Sequence, residues 1–136
     1  MEINNKKPIR SFSDLEVYQN TYKSSIVVMT KVVPKLPESE KYDLKDQLSR
    51  SSKAIPRLIA EGYSKRHQRK GFQKYLDDAM AESNETIVSL SHVRDIYYKF
   101  IDPKPCDDLI EIYDKSSRQL YKLSQAWTNF NDRSKS

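Results

Sequence analysis

Leu15, Tyr18, Tyr22, Ile26, Met29 and Val33 recur every three or four residues, the spacing of one face of an amphipathic helix. Ser13-Asp14-Leu15-Glu16 reads as a capping box at its start, and Pro34 with Pro37 ends it. At 100° per residue, Val17, Val28 and Val32 fall on a flank of their own. That flank is either the edge of a wide core stripe or a subunit interface formed by Val17, Val28 and Val32.

A second helix begins near Pro37, with Glu38 and Glu40 at its positive end. Leu44, Leu48, Ser51, Ser52, Ile55, Leu58, Ile59 and Gly62 share one face, and the small residues let a neighbouring helix come close. Pro56 leaves the Ser52 carbonyl without its intrahelical donor, which predicts a bend that the Ser51 or Ser52 hydroxyl partly relieves. Gly62 is expected as the left-handed residue that closes the helix.

The third helix is expected from about residue 67 or 68 to Phe100, carrying Phe72, Leu76, Ala79, Met80, Ser83, Ile87 and Leu90 inward. Asp102, Pro103 and Pro105 end it. Leu109, Ile112, Tyr113, Ser116, Leu120, Leu123, Trp127 and Phe130 then mark a fourth helix, followed by a polar tail expected to fray over 131–136.

Four amphipathic helices with short connections predict an all-α, antiparallel up-and-down four-helix bundle. The 136 residues make one domain, 1–136, with a polar N-terminal tail over 1–11. Two glycines and six prolines are too few to punctuate many short strands.

Mean hydropathy is −0.82, and no run approaches the roughly 20 apolar residues that cross a bilayer. The first residues show no secretory signal, so a cytoplasmic protein with no membrane partner is expected. Cys106 stands alone and is expected to be inert.

Charge changes the picture more than composition does. The net formal charge is +5, but residues 45–74 hold nine basic side chains against Asp46 and Glu61, so the rest of the chain is acidic. Arg50, Lys53 and Arg57 lie on the solvent side of the second helix, and Lys65, Arg66, Arg69 and Lys70 follow in the connection GYSKRHQRKG. His67 adds charge there at mildly acid pH. Forked guanidinium groups and ammonium charges suit phosphate oxygens, so these seven residues are the candidate nucleic-acid contacts, to RNA or DNA backbone. Tyr63 is the one aromatic residue of the connection that could stack on an unpaired base. The competing reading is an ordinary solvated helix face.

Catalytic signals are missing. Neither His67 nor His92 has a glutamate three residues before it, as di-iron bundles require, and Glu82-x-x-Glu85 occurs singly. There is no phosphate-cradling glycine loop and no His-Glu-x-x-His. No catalytic residue, metal site or cofactor is therefore assigned, and a non-enzymatic protein is expected.

SFSDLEVYQ, LKDQLSRSSKAIPRLIAEGYSKR and FQKYLDDAMAESNET together resemble the small proteins encoded within 23S rRNA intervening sequences. Matching positions include Phe12, Leu15, Gln47, Arg50, Ile55, Pro56, Glu61, Gly62, Phe72, Ala79 and Glu85. Departures are Tyr18 in place of Trp, Lys53 and Ala54 around the usual Ser, Arg57-Leu58 where Asn is expected, and Glu82 in place of Gly. The resemblance implies a ring-like homopentamer of four-helix bundles that binds nucleic acid without enzymatic activity. A related accessory protein of diversity-generating retroelements is a similar basic pentamer that also binds a reverse transcriptase. A protein-interaction scaffold serving a polymerase or reverse transcriptase is thus the alternative to nucleic-acid binding.

Overall fold

The computed structural model describes residues 8–68 and 70–135, with side chains as far as 127. Four helices make up the bundle: α1 Glu16–Val27, α2 Leu44–Ser64, α3 Gly71–Ile96 and α4 Pro103–Lys135. There is no strand among the described residues. Each helix packs on its neighbours in the chain, and α1 closes the square against α4, with no close backbone approach across either diagonal among the described residues. Cross-helix hydrogen bonds fix the antiparallel sense: Ser89 with Gln47 and Thr86 with Ser51 join α3 to α2, while Ser124 with Asp77 and Ser117 with Ser83 join α4 to α3.

α1 departs from its predicted orientation. Val17, Val28 and Val32 are buried in the chain's own core, so they leave no surface for a subunit interface. Tyr22 and Ile26, expected inside, are instead 51% and 49% exposed. The inward seam is completed by Thr21, Ser24 and Ser25, small enough to bring α1 close to the other helices. Their polarity is absorbed locally, since Thr21 Oγ1 donates to the Val17 carbonyl at 2.7 Å and Ser25 Oγ to that of Tyr22 at 2.6 Å. A π turn over Val28–Val32 then shifts the phase and turns Val32 inward. A pattern read from large apolar side chains misses a seam built of hydroxyls.

Helix ends also differ. The capping arrangement sits two residues early: the Asp14 carboxylate accepts from the Arg10 and Ser11 amides ahead of a short 3-10 turn, Phe12–Asp14. Two further 3-10 turns, Val33–Lys35 and Glu38–Glu40, precede α2, and the Glu40 carboxylate accepts the Tyr97 hydroxyl across the bundle end. That bond and the accompanying burial push the Tyr97 phenol above its ordinary range. α3 begins and ends a few residues inside its expected limits. α4 starts with Asp102 accepting from the Lys104 amide and Pro103 in the first turn, and it continues to Lys135 through the segment expected to fray.

α2 passes through Pro56 as one helix. The serine hydroxyls are engaged elsewhere: Ser52 Oγ donates to the Leu48 carbonyl at 2.6 Å, and Ser51 Oγ is bonded to Thr86 at 2.8 Å. Gly62 does not cap the helix, which runs on to Ser64, and its φ is not positive. It serves close approach instead, because a Cβ there would lie 2.5 Å from Tyr75 Cβ and 3.1 Å from the Phe72 ring.

Two outcomes follow from this packing. Gly62→Ala should lower stability by about 1–3 kcal/mol, through overpacking that only a helix shift relieves, and a urea midpoint unchanged from wild type would contradict it. Cys106 is fully buried, and burial pushes its thiol up to about 11. Its reaction with Ellman's reagent at pH 8 should therefore be slow in the folded chain and fast in guanidinium.

Candidate nucleic-acid interface

The seven predicted cationic residues fall into two groups with different surroundings. Arg50, Lys53 and Arg57 are exposed along α2, as expected. They share a groove of about 330 Å³ with Glu82 and Glu85 of α3, however, and Arg50 Nε donates to Asp46 at 3.0 Å. Burial and the neighbouring Glu85 raise the Glu82 carboxyl above its ordinary value, against a smaller opposing pull from Arg50. The carboxylates thus stand beside the cations, and this stretch of surface is mixed in sign.

The α2–α3 connection is different. Lys65, Arg66, His67 and Lys70 are all exposed, and Arg69 lies outside the described residues. The turn is drawn tight by backbone bonds from Lys65 to Gly62, Arg66 to Tyr63, Gln68 to Lys65 and Gly71 to Gln68, of 2.9–3.2 Å. Lys70 takes the left-handed conformation at φ 66°, and Gly71 follows because a Cβ there would meet the Lys65 carbonyl at 2.7 Å. A non-glycine residue at positive φ costs of order 1 kcal/mol, so this loop shape is held by its packing. The result is a compact corner that keeps Lys65, Arg66 and Lys70 together.

Aromatic rings underlie these charges. The Arg66 guanidinium lies 4.1 Å from the centre of the Tyr63 ring, and Arg66 Nη1 donates to the Tyr63 carbonyl at 2.9 Å. Tyr63 in turn meets Phe72 edge-on, and Phe72 meets Trp127 in the same way. Lys65 Nζ and Lys74 Nζ lie 5.4 and 5.5 Å from the Tyr75 ring centre. Tyr75 and Lys74 were not among the expected contacts. The i, i+4 spacing of Lys70 with Lys74 was the available clue, whereas the contact of Tyr75 with Gly62 exists only once the helices pack.

Two other surfaces are apolar. A groove of about 360 Å³ between α1 and α2 is lined by Phe12, Tyr18, Tyr22, Ile26 and Pro56, together with Lys53 and Arg57. At the end of the bundle away from the basic corner, Tyr42 is 87% and Phe100 83% exposed. Among the described residues no group of His, Cys, Asp and Glu could hold a metal ion, and no helix is long and apolar enough to cross a membrane.

Neither a curated protein nor a solved structure matches the chain. The sequence profile of the 23S rRNA-intervening sequence proteins matches residues 13–122, from the turn before α1 to well inside α4. With that match spanning most of a bundle of the expected helix order, the chain belongs to the 23S rRNA-intervening sequence protein family.

Proposed function

We propose that this chain is a non-enzymatic nucleic-acid-binding protein, and that it grips the phosphate backbone with the corner between α2 and α3. The observation that carries this reading is the grouping of Lys65, Arg66 and Lys70 on one exposed turn, next to Lys74 at the start of α3. Arg50, Lys53 and Arg57 contribute less than their number suggests, since Asp46, Glu82 and Glu85 stand beside them. Phosphate contacts of this kind position a backbone and release counterions without reading bases.

Self-association belongs to the same reading. Family membership favours a ring-like homopentamer, and the exposed α1 stripe with the groove beside Pro56 offers an apolar contact in place of the buried valines. Five copies of the basic corner around one axis would add weak phosphate contacts by avidity. A specific feature also favours a second reading, in which the chain is a scaffold for a protein partner such as a polymerase. The exposed aromatics Tyr42 and Phe100, at the end away from the basic corner, suit a protein contact.

Binding of a fluorescent structured RNA and a duplex DNA across a range of salt tests the first reading. Affinity should fall steeply with salt. The Arg66→Glu, Lys70→Glu double variant should flatten the slope by about 0.7–0.9 for each phosphate it no longer neutralises, while Arg50→Glu changes it little. Absence of binding at low salt would favour the scaffold. Light scattering should give a multiple of the 16.0 kDa chain mass, and Tyr22→Glu with Ile26→Glu should reduce it towards one chain. A wild-type protein that scatters as a single chain would contradict the ring.

A further inference from the structure

We infer that the basic corner is built for unpaired nucleotides, with Tyr75 and the Tyr63–Arg66 stack as platforms for base rings. The inference rests on the nucleic-acid reading above and deepens it by naming the ligand class as single-stranded nucleic acid. A surface that only gathers phosphate needs cations and no rings. Here Arg66 is paired with Tyr63, and Lys65 and Lys74 with Tyr75. Lys65, from the end of α2, and Lys74, from α3, converge on the one ring of Tyr75.

The platforms are also held in place. Tyr75 is anchored through its Cβ against Gly62, a contact with no side chain on the α2 side to rearrange. Tyr63 is wedged edge-on against Phe72, with ring centres 5.9 Å apart and planes at 90°. Arg66 is fixed over Tyr63 by its own bond to the Tyr63 carbonyl, and the exposed arginine offers its outer face as the stacking surface of that pair. Lys74 is 74% exposed and lies 3.9 Å from the Asp78 carboxylate, and a four-carbon stem can swing its ammonium group from these neighbours to a phosphate. A nucleotide thus replaces the ammonium on the ring with its base and gives that ammonium its phosphate. Duplex bases keep their faces covered by their neighbours and cannot make this exchange. Stacking of this kind tolerates any base, so the corner should select strandedness and not sequence.

The test uses the full chain and three labelled probes of equal length: a thymidine single strand, a strand of abasic sites, and a duplex DNA. In fluorescence anisotropy at low salt, the thymidine strand should bind about tenfold more tightly than the abasic strand, and also more tightly than the duplex. Tyr75→Leu should reduce the preference for thymidine over abasic sites while keeping the salt dependence, and Tyr75→Phe should retain the preference. Arg66→Lys, which keeps the charge and loses the plane, should reduce it. Salt-sensitive binding of thymidine and abasic strands with equal affinity would overturn the platform and leave the phosphate reading standing. Tighter binding of duplex would also overturn it, and no binding of any probe would remove both. The comparison of probes needs only the wild-type protein, so a variant that fails to fold does not shield the inference.

Discussion

The close approach of α2 and α3 governs the shape of everything near the basic corner. Gly62 has no room for a Cβ against Tyr75, and the seam continues down the bundle through the bonded pair Ser51 and Thr86 to Ser89 and Gln47. Small side chains shorten the distance between helix axes, and hydroxyls can line such a seam because each finds an acceptor within it or on its own helix. The same contact seats Phe72 and Tyr75 beside the end of α2. From there the ring contacts run on through Phe72 to Trp127 of α4, so the corner is joined to the core by three elements.

Charge placement follows from this packing in two opposite ways. Along the length of the helices, bringing α3 against α2 sets Glu82 and Glu85 beside Arg50, Lys53 and Arg57, and the local field is reduced. Beyond the last turn of α2, Lys65 and Arg66 stand over the Tyr75 and Tyr63 rings instead, and Lys74 lies between Tyr75 and Asp78. Two stretches of similar composition thereby acquire different electrostatics. Local charge at a surface depends on which helix face lies alongside, and a linear count of lysines and arginines averages over that.

α1 is the element joined to the bundle by the smallest side chains. Its inward face carries Thr21, Ser24 and Ser25 between the valines, and its larger side chains Tyr18, Tyr22 and Ile26 form an outward or half-covered stripe next to Pro56. Burying small residues costs little conformational entropy and allows close packing, while an apolar stripe left in water is a cost that association removes. The bundle therefore has a buried seam of small residues and a separate exposed apolar stripe on the same helix.

The helical class, the number and order of helices and the proline-marked connections were legible in the sequence, because they depend on local periodicity and backbone restrictions. The family blocks and the bunching of positive charge near the end of α2 were legible for the same reason: they are linear patterns. Other features were decided only by tertiary structure. Which stripe of α1 turns inward depends on how closely Thr21, Ser24 and Ser25 let it pack and on the phase shift of the π turn at Val28–Val32. Gly62 looked like a cap because glycine so often ends a helix, yet here a neighbouring helix claims the space of its missing Cβ. The opposition of Glu82 and Glu85 to the α2 cations, and the arrival of Tyr75 under Lys65, join residues on either side of the α2–α3 connection. Such pairings are products of helix packing, and no local pattern encodes them.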